Sequence, residues 1–209
     1  MGLSISALTT TRDAKPMPLG ESVELAEATS TGGAVFLLRE GLDASLIQQL
    51  KNYSFNVSDA ELQRTSDFER FGKGSYEEWY GSKERTMFAL VQKNTGTLAA
   101  LAWFGPKPLG RKSMKHLSED ERAEDERLMD ADNWHTIVYR SYPPFRGTGI
   151  MKDFVRFCMD AYVRRHPDAK LWAGIYGANP ASISLATGLG FTAHESSGSD
   201  TEETIMVKE

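Results

Sequence analysis

Arg146-Gly147-Thr148-Gly149 stands between a strand-like run and a helix-like one, a position that gives it a chemical use. Glycines let main chain approach a ligand closely, and the first N–H groups of a helix have no partner inside it. Together they attract an anion, with a phosphate or diphosphate as the natural guest. The common nucleotide patterns do not fit. G-x-x-x-x-G-K-S/T is absent, and Lys152 stands where G-x-G-x-x-G requires its third glycine. A tight strand-to-helix turn without a ligand would carry the same two glycines.

These residues need elements to hold them. Residues 134–142 read as a strand feeding the glycine turn. Ile150, Phe154, Phe157, Cys158, Ala161 and Tyr162 then recur at helical spacing until Pro167 ends the pattern. Residues 171–176 form a further strand, Asn179-Pro180 supplies a cap followed by a first-turn proline, and Gly188 sits where a helix closes. Upstream, 34–39 reads as a strand, and Asp43 caps a helix carrying Leu46, Ile47 and Leu50. Residues 86–92 and 97–104 flank Lys93-Asn94-Thr95-Gly96 as a hairpin, and 76–80 forms a short helix. Residues 105–133 are a charged insertion, in which Ser118 and Glu121 have capping-box spacing before a helix-prone stretch reaching Met129. Residues 191–194 and 204–208 close the chain as a hairpin. Residues 1–33, rich in Thr, Ser, Gly and Pro, read as a loosely ordered arm with a short ordered stretch at 22–28. The remainder, 34–209, reads as one α/β domain.

Composition narrows the function. A chain of 209 residues, 40% hydrophobic and 25% charged, can bury a core of its own. Its net charge of -5 gives no basic footprint for a nucleic-acid backbone. Cys158 is the single cysteine, so no intramolecular disulfide forms, and no Cys/His spacing resembles a metal site. No apolar run approaches the roughly 20 residues a membrane span needs, and the first twenty residues lack a signal-like core. The expectation is a cytoplasmic protein with no metal, no nucleic-acid partner and no membrane partner.

Pro143, Phe145, Arg146 and Gly149 follow a strand in an order that resembles the acyl-CoA signature, R/Q-x-x-G-x-G/A, of the GNAT superfamily of acetyl-CoA-dependent N-acetyltransferases. Met151 stands where that family has a small residue. A second family signature appears as Asn179-Pro180-Ala181-Ser182 through Leu189-Gly190-Phe191, and two motifs in order are more specific than one. The resemblance spans roughly 34–209 and is strongest over 134–191. It implies a mixed, mostly antiparallel central sheet of about six to seven strands, splayed at an acyl-CoA cleft and flanked by about four helices. It also implies acetyl-CoA as cofactor. Ser141 and Tyr142 would then offer main-chain groups to the pantetheine. The backbone of Arg146, Gly147, Thr148, Gly149 and Ile150 would bind the diphosphate, with a helix starting at Gly149 adding its partial charge. Asn179 would fix the cofactor, cap its helix, or do both.

Acetyl transfer to an amine needs a neutral nucleophile, support for the oxyanion and a proton for the leaving thiolate. A lysine-type amine, with pKa about 10.4, is rarely neutral at pH 7, a cost of roughly 4 to 5 kcal/mol, whereas an α-amine costs about 1 kcal/mol. Residues 134–142 hold no Asp or Glu, so the carboxylate base of many family members is missing. The resemblance makes His135 the substitute and Tyr139, on the same strand face, a proton relay. Each also reads as an ordinary strand side chain. The tyrosine that the family often places seven residues after the Asn is Ala186 here. Ser182 is its replacement as acid, or a hydroxyl bonded to local backbone. These departures leave open a GNAT-type module that binds acyl-CoA without turnover.

The resemblance places the acceptor against residues 53–80, including Asp67, Phe68, Glu69, Tyr76, Trp79 and Tyr80, and against the insertion. Carboxylates and rings there suit a cationic amine, either small-molecule or peptide, although rings covering a core would read the same way. A homodimer is left open.

Overall fold

The computed structural model describes residues 2–8, 16–60, 62, 68–72, 76–81, 85–111, 118, 120, 123, 127, 132–194 and 203–209. The chain divides into two compact units, Met1–Trp103 with Tyr139–Cys158, and Phe104–Val138 with Met159–Glu209.

The first unit contains β1 (Leu3–Ala7), β2 (Ser22–Ser30), β3 (Val35–Gly41), α1 (Ala44–Ser54), a π-helical turn (Phe68–Gly72), α2 (Tyr76–Gly81) and β4 (Thr86–Gln92). It also holds most of β5 (Leu98–Pro106), the end of β6 (Trp134–Ser141) and the first part of α3 (Met151–Val163). Its strands are hydrogen-bonded in the order β1-β2-β3-β4-β5-β6. The core lies at β4 and β5, whose unbroken apolar runs are buried on both faces, as expected for central strands. Asp43 caps α1 by accepting the Leu46 N–H at 3.0 Å, and Leu46 and Leu50 turn inward.

The second unit holds the rest of β5, β6 and α3, with β7 (Lys170–Tyr176), α4 (Pro180–Gly188), β8 (Thr192–Ala193) and β9 (Glu203–Lys208). Its order is β5-β6-β7-β9-β8. β6 and β7 are parallel in register from Trp134↔Lys170 to Thr136↔Trp172, and β7 pairs antiparallel with β9 from Leu171↔Lys208 to Tyr176↔Glu203. A parallel pair requires a crossover, and α3 supplies it. Trp134, Trp172 and Ile205 form a buried cluster with Leu109 and Val207 against it. The ammonium groups of Lys107 and Lys170 cover the Trp172 and Trp134 rings at 5.0 and 5.4 Å.

Three expectations need correction. The sheet elements number nine, not six or seven, because β1 lies within the stretch expected to be loosely ordered and the short ordered stretch expected at 22–28 is a full strand, β2. β1 pairs with β2 in register from Leu3↔Ser30 to Ala7↔Ala26, and β2 pairs with β3. Their buried positions include Ala26 and Ala28, side chains too small to give a strong alternating signal, so strand pairing supplies the order that composition hides. The third correction concerns α3, which begins at Met151: Gly149 has φ 77°, outside the helical region. The helix expected to run to Met129 and the polar stretch 195–200 lie largely or wholly outside the described residues.

Candidate functional site

β6 ends at Ser141 and its chain turns sharply through residues 142–150. Tyr142 is buried, donates its N–H to the Ala99 carbonyl at 2.9 Å and accepts the Phe145 N–H at 2.9 Å. The Thr148 hydroxyl donates to the Phe145 carbonyl at 2.6 Å and closes the turn. Gly147 and Gly149 have φ of 72° and 77°, a left-handed backbone that side chains rarely adopt. A Cβ placed on Gly147 would meet nothing within 4 Å, so the turn is open on that side. Among the described residues, the main-chain N–H groups of Gly147, Gly149, Ile150, Met151 and Lys152 have no hydrogen-bond acceptor. Donors gathered at a glycine turn and the start of a helix make an anion cradle.

The turn is braced from behind. Tyr53, near the end of α1, stacks on Tyr142 with ring centroids 4.6 Å apart, and its hydroxyl donates to the Pro143 carbonyl at 3.3 Å. Burial raises the Tyr53 pKa above its ordinary value and keeps this donor protonated. Phe36 meets Phe145 edge to face at 5.6 Å. The Arg146 guanidinium donates through Nε to the Ser141 carbonyl at 3.0 Å and through Nη1 to Asp59 at 2.9 Å.

Of the main-chain groups expected to serve a pantetheine, those of Tyr142 are committed within the fold. Its N–H is spent on Ala99 and its carbonyl accepts from Phe145. By strand alternation the Ser141 N–H points to the opposite edge, away from β5. Tyr139 is half-buried, and its carbonyl accepts from Arg140 Nη1 at 3.0 Å.

In the second unit His135 is buried, with Nε2 3.0 Å from Asn133 Oδ1 and Nδ1 2.5 Å from the Tyr162 hydroxyl. The Asn133 oxygen only accepts, so Nε2 carries the hydrogen and Nδ1 accepts from Tyr162. Burial first, and the nearby His166 second, lower the His135 pKa to about 4. The ring is therefore neutral near pH 7 with both nitrogens engaged. This differs from the expected poised base, because the residue at the start of β6 faces the packed side of α3. Tyr162 itself stacks on Phe104 at 4.6 Å and lies 4.4 Å from the His166 ring. Sequence reasoning placed Tyr162 on a helix but missed it as the partner of His135.

Asn179 Oδ1 accepts the Ser182 N–H at 3.0 Å, a cap reinforced by Pro180 in the first turn of α4. Its Nδ2 has no acceptor among the described residues and stays available as a donor. Ala186, at the position where a tyrosine was sought, is 1% exposed.

Of the aromatic residues assigned to the acceptor, Tyr76 belongs to the core, and Phe68, Trp79 and Tyr80 are half-buried. Tyr76 is buried, and its hydroxyl contacts Met87 Sδ at 3.4 Å. Trp79 packs edge-on to Phe71 at 4.9 Å and to Trp103 at 5.5 Å. The Arg85 guanidinium covers Trp79 at 4.3 Å, and the Tyr80 hydroxyl donates to the Met17 carbonyl. A cation already sits on the Trp79 face, and it is the chain's own. Phe68 meets Phe55 at 5.6 Å. Asp67 and the side chain of Glu69 lie outside the described residues. Among the described residues, no group of three or more His, Cys, Asp or Glu could hold a metal ion, and no helix is long and apolar enough to cross a membrane.

No protein-family model matches the sequence, and no curated protein matches it. Solved structures do match its backbone. The GNAT domain of PAT from S. lividans aligns with a TM-score of 0.58 at 13% identity, over 90% of this chain and 96% of that one. The chain has the GNAT fold. A chimera of the Vibrio cholerae spermidine N-acetyltransferase SpeG with hSSAT shares this fold at a TM-score of 0.53 and 12% identity, over 82% of this chain and 92% of that one. Another GNAT-fold match, the Vibrio cholerae spermidine N-acetyltransferase solved with CoA and spermine, has a TM-score of 0.50 at 10% identity, over 82% and 92% of the two chains.

Proposed function

We propose that the chain transfers an acetyl group from acetyl-CoA to a primary amine of a small molecule or a protein N-terminus, by direct attack of the amine. The observation that carries this reading is the turn at 147–149, which presents acceptor-free N–H groups from Gly147, Gly149, Ile150, Met151 and Lys152 on a GNAT fold. Those donors suit the diphosphate of a coenzyme A thioester, and the open side of Gly147 gives it room. Acetyl-CoA supplies the activated acyl group. Ser141 N–H and Asn179 Nδ2 are the further donors assigned to it.

His135 shapes the choice of acceptor. With a pKa near 4 and both ring nitrogens engaged, it is a weak base for an amine. The amine must then reach neutrality by its own equilibrium, which favours an α-amine over a lysine-type amine by roughly 3 kcal/mol at pH 7. A second reading, a module that holds acyl-CoA without turnover, draws on the same His135 geometry and on buried Ala186. Calorimetric titration with acetyl-CoA, followed by free-thiol release with a panel of α-amines and polyamines, tests both. Binding with thiol release led by α-amines is the expected result. Binding with no release from any amine selects the second reading, and no binding ends both.

A further inference from the structure

We propose that Asp59 is a positioning residue for the diphosphate turn, acting through the guanidinium of Arg146. The inference rests on the reading of that turn as the acyl-CoA site, and it assigns Arg146 a bracing role in place of direct phosphate contact.

Arg146 lies inside the turn, one residue before Gly147, and its guanidinium is paired with the carboxylate of Asp59. Arg146 Nη1 is 2.8 Å from one Asp59 oxygen and 2.9 Å from the other. The Asp59 side chain is 6% exposed and that of Arg146 26%, so this pair is shielded from solvent and gains more than a surface pair does. The same guanidinium uses Nε to hold the Ser141 carbonyl at 3.0 Å. One planar group therefore ties three points together: the end of β6, the turn, and the chain just after α1. A fork of fixed donors can do this, whereas a flexible ammonium cannot hold both directions at once.

Asp59 has a second task that allows the two to be separated. Its Oδ1 also accepts the Leu62 N–H at 3.2 Å, in the manner of a helix cap. Asn caps as well as Asp and matches it in size, so Asp59→Asn can keep the Leu62 bond through its one oxygen while losing the charge and one of the two acceptors that hold Arg146. The main-chain donors of Gly147 and Gly149 have no side chain to anchor them, so their aim depends on what grips Arg146 between β6 and the residues after α1.

The test is calorimetric titration of the full chain and its variants with CoA and with pantetheine, which lacks the diphosphate. For Asp59→Asn the CoA Kd should rise on the order of tenfold, as small displacements of a binding constellation do, with pantetheine binding unchanged. Asp59→Glu should regain most of the loss. Arg146→Lys, which keeps the charge but cannot form both bonds, should weaken CoA in the same direction and serves if Asp59→Asn does not fold. Wild-type CoA affinity in folded Asp59→Asn overturns the proposal. So does an equal loss for CoA and pantetheine, since damage would then extend beyond the turn. If the unaltered chain binds no CoA, it is the reading of the turn that fails, before any variant is compared.

Discussion

Tyr162 places its hydroxyl 2.5 Å from Nδ1 of His135, while Asn133 Oδ1 lies 3.0 Å from Nε2, so the imidazole is held in one neutral tautomer. Protonating it would turn Nδ1 from acceptor to donor and place a charge in a buried site near His166, whose ring centroid is 5.5 Å away. Burial and that neighbour both oppose the charged form. The histidine to which the family resemblance gives a base's role is buried and hydrogen-bonded through both ring nitrogens within the second unit.

A pH dependence of stability follows. His135 titrates at about 4 in the folded chain and near 6.5 when unfolded. Below 6.5 the unfolded chain takes up the proton first, so stability is full above that pH and declines as pH falls toward 4. The decline should reach on the order of 2 to 3 kcal/mol. Urea unfolding at pH 7.5, 6 and 5 measures it, with His135→Asn as the comparison. The variant should be less stable at pH 7.5 and lose less on acidification; parallel pH profiles would remove His135 as the source.

What could be read in the chain beforehand was what is local in the chain. The Asn179 cap on Ser182 spans three residues, and the glycine turn is contiguous, so both were visible as patterns. The His135–Tyr162 and Arg146–Asp59 contacts join residues 27 and 87 positions apart, and one-dimensional spacing carries no trace of them. The aromatic residues at 76–80 illustrate a different gap. Their types suit a cation site or a core equally, and only the burial of Tyr76 and the Arg85 cover on Trp79 decide between them. β1 was missed because its alternation of Leu3, Ile5 and Ala7 with serines runs for only five residues, while β2 extends the short ordered stretch expected at 22–28.

Asn179 has two separable groups, and its variants should divide accordingly. Ser retains a cap oxygen, so Asn179→Ser should stay within about 0.5 kcal/mol of the parent, whereas Asn179→Ala should lose about 1 kcal/mol. Both remove the Nδ2 donor. If that donor serves the cofactor, both should weaken CoA binding by roughly two- to tenfold, the worth of one hydrogen bond. Chemical denaturation and CoA titration on the same samples read the two effects. Unaltered CoA affinity in Asn179→Ser would reduce the residue to a helix cap.

Gly147 and Gly33 offer a matched comparison, because each has a left-handed backbone, φ 72° and 81°, with nothing within 4 Å of a Cβ. Alanine at either position meets no clash and is opposed only by the backbone conformation, at about 1 to 2 kcal/mol. Unfolding free energies of Gly147→Ala and Gly33→Ala should therefore fall alike. Their CoA affinities should not. A methyl on Gly147 occupies the open side of the donor cradle and should raise the CoA Kd at least about tenfold, the order of loss that misplacing a bound group brings. Gly33, in the turn between β2 and β3, should leave the Kd at the parent value. Equal CoA affinity in the two variants would show that the 147–149 turn takes no part in binding, whatever the fold around it.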